Sequence, residues 1–197
     1  MKLKTFSEKY EKKVKKIDKK KRKFVDFNWV IKITICAFVL SFLFSLLTEI
    51  LVPKVNAIVG VLFILIIVII GVIFDMIGVA VTAANIKPFN SMASKKVRGS
   101  MSAIWLIKNA EKVSSFCNDV IGDVCGIISG SLGILISGMI SEQFSLNLSL
   151  VTLLLTSLIA ALTIGGKALG KSYAINKSDV IIFKAAKFIR LFRKEGR

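Results

Sequence analysis

The sequence predicts an all-α integral membrane protein, with four transmembrane helices and juxtamembrane amphipathic helices on the cytoplasmic side. Three observations carry that expectation. Apolar residues make up 54% of the chain and mean hydropathy is +0.72, above the apolar share of about 45–50% usual for soluble domains. These residues collect in four runs of bilayer length, at 29–52, 57–81, about 120–141 and about 147–165. Lys and Arg avoid the short connections, with one at 53–56 and none at 142–146, whereas 1–28 holds twelve, 82–117 six and 166–197 nine. The positive-inside rule then puts all three basic segments, and both termini, on the cytoplasmic side of a cell membrane. Reduced cysteines and this loop pattern suit a bacterial inner membrane.

Residues 1–28 form a polybasic tail. The run that follows, "WVIKITICAFVLSFLFSLLTEILV", is too long for the 7–15-residue core of a signal peptide, so 29–52 is expected to be a retained first span. Only "PKVN" separates it from the second run, which predicts a tight antiparallel hairpin. Segment 83–117 is more polar, and Ile104, Leu106, Ile107, Val113 and Phe116 recur in it near helical spacing, with Trp105 among them. That pattern predicts short interfacial helices, with Pro88 at a turn or a first helical position. The third and fourth runs are joined by "SEQFSL". A basic amphipathic helix is expected over 177–197, starting near Ser178 and Asp179.

The balance of 29 Lys+Arg against 12 Asp+Glu does not read as a nucleic-acid surface, because the basic residues flank the spans and few aromatics interleave them. Anionic lipid headgroups are the expected partners. The chain has no His, which removes the commonest general base and a common transition-metal ligand. Cys36, Cys117 and Cys125 form no paired motif and read as small apolar fillers. Glu49 lies near the outer end of the first span, where it can reach the interface.

The residues able to carry chemistry are acids. Asp75 interrupts the second run, and Asp119 and Asp123 share a face, i and i+4, at the start of the third. An acid at a helix centre costs roughly 2.5–3.5 kcal/mol to insert, so such groups need one another, a cation or water. The alternative is structural, with Asp119 capping a helix and Asp123 pairing with Lys112 or Lys167. Hard oxygen donors cluster around the acids: Asn118, Ser129 and Ser131, with Thr82, Asn85 and Thr163 on the neighbouring runs. Such donors suit Mg²⁺ better than Zn²⁺ or Cu²⁺. Gly122, Gly126 and Gly130 form a small-residue ladder beside a second small face of Ser129, Gly133 and Ser137. Such faces allow close helix packing, within the chain or in a homodimer, and expose backbone carbonyls.

From 74 to about 176 the chain resembles the transmembrane domain of the CorB/CorC (cyclin M, CNNM) magnesium transporters, on the stretches "FDMIGVAV", "WLIKNAEKVSSF", "VIGDVCG" and "TIGGKALGK" in that order. The resemblance implies a CorB/CorC-like domain over 53–176, behind an additional first span. It departs at the polar positions. Asp75 stands where the family has serine and Gly78 where it has glutamate, while Asp123 and Gly126 replace two asparagines. Thr163 replaces a late glutamate and Gly166 a proline, with Lys167 kept. The family usually continues into ATP-binding CBS domains, and the short remainder here leads us to expect none.

The resemblance implies a Mg²⁺ or other divalent-cation transporter, a homodimer rather than an enzyme. Asp75 and Asp123 are its expected ligands, assisted by Asp119, Asn118, Ser129 and Thr163. An intramembrane protease is disfavoured because "FD" and "VIGD" lack Tyr-Asp and Gly-x-Gly-Asp surroundings. The competing expectation is a non-transporting scaffold or regulatory protein acting through its basic tails. Close approach of the two acids with no lysine between them favours the ion; pairing with Lys112, Lys167 or Lys171 favours the scaffold.

Overall fold

The computed structural model describes residues 27–51 and 56–192. The basic tail up to residue 26, the connection at 52–55 and residues 193–197 lie outside the described residues, and with them most of the predicted tail and hairpin turn. The described residues are mostly helical, with no strand among them, and four helices are long and apolar enough to cross a membrane.

Helix α1, Phe27–Leu51, is predominantly apolar with no one apolar face, and its charged residues, Lys32 and Glu49, lie near its two ends. Phe38 and Phe42, one turn apart, stack at 6.2 Å and both are exposed. Helix α2, Ala57–Ala83, follows. Three short helices come next: α3, Ile86–Ser94; α4, Ser100–Lys108; and α5, Ala110–Ser115. A π-helical segment, Phe116–Gly122, leads without a break into α6, Asp123–Phe144. Helix α7, Leu148–Asn176, and α8, Ser178–Phe192, complete the fold.

The third long helix begins at Ala110 rather than near residue 120, and the fourth runs on to Asn176 rather than ending near 165. Helical backbone bonds form irrespective of side-chain polarity, so the apolar runs mark only the central parts of these helices. The expected helix start at Ser178 is present. Pro88 falls in the first turn of α3, where its missing N–H would have had no intrahelical partner. Asn85 caps that helix by accepting from Lys87 N at 3.0 Å, and Asn147 caps α7 by accepting from Ser149 N. Ser145 takes the left-handed conformation at the end of α6, and Ser141 donates to the Leu146 carbonyl across the bend at 2.6 Å.

Two cores hold the fold. Between the long helices, Ile64 and Val68 of α2 meet Val124, Ile128, Leu132 and Ile136 of α6 and Ile159 of α7. Helix α6 runs antiparallel to both α2 and α7, and glycines set the register. A Cβ on Gly60 would lie 2.7 Å from Ile136, and one on Gly71 3.0 Å from Cys125. Where α6 and α7 cross, Ser137 and Thr152 share a hydrogen bond of 2.7 Å. The second core surrounds the end of α2: Ala80 and Val81 pack with Phe89, Ala103, Ile104, Leu106, Ala174, Ile182 and Ala186. Helices α3, α4 and α8 thereby form a belt at the depth where α2 ends. Asn85 N donates to Asp179 Oδ1 at 3.1 Å and pins the start of α3 to the start of α8.

Candidate functional site

The polar centre of the molecule lies where α2, the π segment and α7 meet. Asp75, on an otherwise apolar helix, is only 3% exposed. It faces Gly122: a Cβ at that glycine would be 3.8 Å from Asp75 Oδ1 and 3.5 Å from Lys167 Nζ. One turn further along α2, Gly78 receives the Asn118 side chain, whose amide occupies the space a Cβ would take. The antiparallel register thus pairs Asp75 with Gly122 and Gly78 with Asn118. It brings an acid, an amide and a backbone carbonyl together.

Helix α7 supplies two cations. Lys167 Nζ lies 3.4 Å from Asp123 Oδ1 and donates to the Gly122 carbonyl at 3.3 Å. Lys171 Nζ lies 3.5 Å from Asp75 Oδ2. These lysines are one turn apart, i and i+4, so one stripe of α7 serves both acids. Gly122 lies where the π segment, with its i→i+5 bonding, passes into the regular ladder of α6. Two carboxylates and two ammonium groups leave the junction formally neutral. Its hydrogen bonding is nevertheless incomplete. Asp75 Oδ2 and Asn118 Oδ1 are both buried without a hydrogen-bond partner; Lys171 is near the former but outside hydrogen-bonding geometry.

Of the residues expected to form the site, Asp75, Asn118 and Asp123 are brought to this junction. Asp119 is exposed on the π segment. Ser129 is fully buried two turns into α6, and its hydroxyl donates to the Gly126 carbonyl at 2.9 Å. Thr163, one turn before Lys167, donates to the Ile159 carbonyl at 2.8 Å. Among the described residues no group of three or more acids and cysteines is gathered in a way that could hold a metal ion, so the oxygen set here is two carboxylates, one amide and one carbonyl. The three cysteines are free thiols. The small ladder divides. Gly122 is enclosed, whereas Gly126 and Gly130 have nothing within 4 Å of an added Cβ. In the second small face, Ser129 and Ser137 are fully buried, and a Cβ on Gly133 would meet Ile159.

A cavity of about 830 Å³ lies at the other end of the α2–α6 pair, lined by apolar residues such as Val61 and Met139 with Asn56 and Gln143. Met139 lies roughly 24 Å along the helix from Asp123, so this cavity and the charged junction are separate features. Comparison of the chain with protein families, with curated proteins and with solved structures finds no match.

Proposed function

We propose that this chain is a multi-pass cell-membrane protein, bacterial and with both termini cytoplasmic, that binds and transports a divalent cation at the α2–π–α7 junction. Mg²⁺ is the cargo its donors suit best. The observation that carries the reading is that two buried acceptors on facing helices, Asp75 Oδ2 of α2 and Asn118 Oδ1 of the π segment, lack a hydrogen-bond partner. A buried acceptor without a partner costs roughly 1–3 kcal/mol, more when charged, and a cation relieves two such deficits together. Asp75, Asn118, Asp123 and the Gly122 carbonyl would be its ligands. All are hard oxygens, and a small number of protein ligands completed by water is the usual habit of Mg²⁺.

Lys167 and Lys171 then act as tethered counter-charges. Two ammonium groups neutralise the two carboxylates when the cargo is absent, and one divalent ion replaces both without changing the net charge. Lys171 is half exposed, so its ammonium has solvent to swing into. The open glycine face at Gly126 and Gly130 is available to a second copy, which the reading includes as a homodimer.

The lysine pairs also favour a second reading. If they are permanent, the junction is a packing core, and the protein is a non-transporting scaffold that works through its basic surfaces. One experiment separates the two. Thermal stability of the full chain in detergent is followed against Mg²⁺, with K⁺ at matched ionic strength, for the native chain and for Asp75→Asn and Asp123→Asn. Specific binding to the folded form gives a saturable rise, equivalent to about 2.7 kcal/mol at a hundred times Kd, that both variants lose. Flux of Mg²⁺ into proteoliposomes under an imposed potential then tests transport. A native chain whose stability does not respond to Mg²⁺ selects the scaffold, whatever the two variants cost in stability through their lysine pairs.

A further inference from the structure

We propose that the belt formed by α3, α4 and α8 carries a docking surface for anionic phospholipid headgroups, built from the 95–99 loop and α8. The inference does not depend on the cation site. The loop reads "KKVRG". It closes on Gly99, which adopts φ +91 and lies against α8 so closely that a Cβ would be 3.6–3.7 Å from Lys187 Cγ, Cα and N. Glycine is favoured here by its left-handed backbone, while the spacing to α8 is an ordinary van der Waals contact. This contact brings the loop that carries Lys95, Lys96 and Arg98 against α8 at Lys187, with Lys184 one turn before it on that helix.

All five side chains are exposed, and none is ion-paired among the described residues. The acid that begins α8, Asp179, faces away to cap the Asn85 N–H. Lys187 Nζ lies 5.5 Å from the Phe183 ring centroid, which orients that ammonium. Five positive charges without local counter-ions on one small surface call for an anionic partner.

Two further observations choose a membrane over a soluble anion. Apolar side chains stand exposed among the charges: Val97 between Lys96 and Arg98, and Phe188 next to Lys187, with Met101 and Trp105 along the adjoining face of α4. Phosphate in solution gains nothing from these, whereas a headgroup layer accepts both the charges and the apolar tips. The belt also packs around the last turns of α2, through Ala80 and Val81. A helix long enough to cross a membrane ends at the headgroup layer, so whatever wraps that end lies at the same depth.

The test uses Trp105 as its reporter. The chain has two tryptophans, and Trp29→Phe leaves Trp105 alone in the full-length protein. The protein is reconstituted in phosphatidylcholine vesicles, with brominated phosphatidylglycerol or brominated phosphatidylcholine as quencher at equal mole fraction. The expected result is stronger quenching by the phosphatidylglycerol. That preference should fall about fivefold per charge removed in Lys95→Gln/Lys96→Gln/Arg98→Gln, and likewise in Lys184→Gln/Lys187→Gln. Removing three charges from the tail, in Lys15→Gln/Lys16→Gln/Lys19→Gln, should leave it unchanged. Equal quenching by both lipids overturns the proposal, and so does a loss in the tail variant as large as in the belt variants. If millimolar glycerol phosphate abolishes the preference, the surface takes a free phosphate anion, and the lipid assignment is wrong.

Discussion

The two ion pairs have opposite burial patterns, and this makes an asymmetric prediction. Asp75 has a side chain only 4% exposed, while its partner Lys171 is 50% exposed. Asp123 is 66% exposed, while its partner Lys167 is 20% exposed. Removing one member of a fully buried pair costs about 3–5 kcal/mol, because the survivor is left charged in a low dielectric; exposed pairs are worth about 0–1 kcal/mol. Lys171→Gln strands the buried carboxylate and, discounted for the lysine's exposure, should cost about 2–3 kcal/mol. Asp75→Asn leaves an ammonium that turns to water, at about 1 kcal/mol or less. In the other pair the order reverses. Asp123→Asn strands the mostly buried Lys167 with only the Gly122 carbonyl, at about 1–2 kcal/mol, whereas Lys167→Gln frees an aspartate that is already wet, at under about 1 kcal/mol. The assay is unfolding of the four single variants in one detergent, with the double variant of each pair to isolate the coupling. Asp75→Asn more destabilising than Lys171→Gln, or four equal losses, would refute the reasoning.

Gly78→Ala should displace the Asn118 amide and destabilise by about 1–3 kcal/mol. Gly126→Ala, with nothing within 4 Å of the added Cβ, should stabilise the detergent-solubilised monomer by about 0.4–1 kcal/mol, read as a raised melting temperature. A double-mutant cycle on Ser137→Ala and Thr152→Val should return a coupling of about 0.6 kcal/mol, the average for interhelical hydrogen bonds in membrane proteins, read by equilibrium unfolding. Phe89→Ala removes the largest fully buried side chain of the belt and should cost about 3–5 kcal/mol. Limited proteolysis should then cut between 84 and 109 first, before the long helices open.

The long helices were legible because bilayer length and charge asymmetry leave few alternatives, and Ser178 fell where α8 starts, whereas the caps Asn85 and Asn147 were not read from the sequence. The true beginning of the third long helix was not legible. Glu111, Lys112, Ser114 and Ser115 look like surface sequence, yet they continue the helix that becomes α6. The π segment left no mark, since one extra residue per turn changes hydrogen bonding and not composition. A residue count along the helix therefore misplaces everything before Gly122 relative to everything after it. The ladder of Gly122, Gly126 and Gly130, regular in sequence, is split by this change of phase and by the packing: Gly122 is enclosed and the other two are open.

The acids themselves could be read directly, because a carboxylate inside an apolar run stands out. Their partners could not, because the choice among Lys112, Lys167 and Lys171 depends on how α7 is rotated against α2. The sequence does hold the information, in two adjacent stripes of equal spacing. Gly166 and Gly170 let α7 approach α2 so closely that a Cβ on either would lie 2.8–3.0 Å from Met76 or Val72. Lys167 and Lys171 follow those glycines by one residue each, about 100° around the helix. Once the glycine stripe is seated on Val72 and Met76, the lysine stripe has to lie over the residues beside them. Those are Asp75 on α2 and, across the antiparallel register, Gly122 and Asp123. The glycines thus set both the packing and the counter-charges, and filling Gly170 with a larger side chain should loosen the Asp75–Lys171 pair without touching either residue.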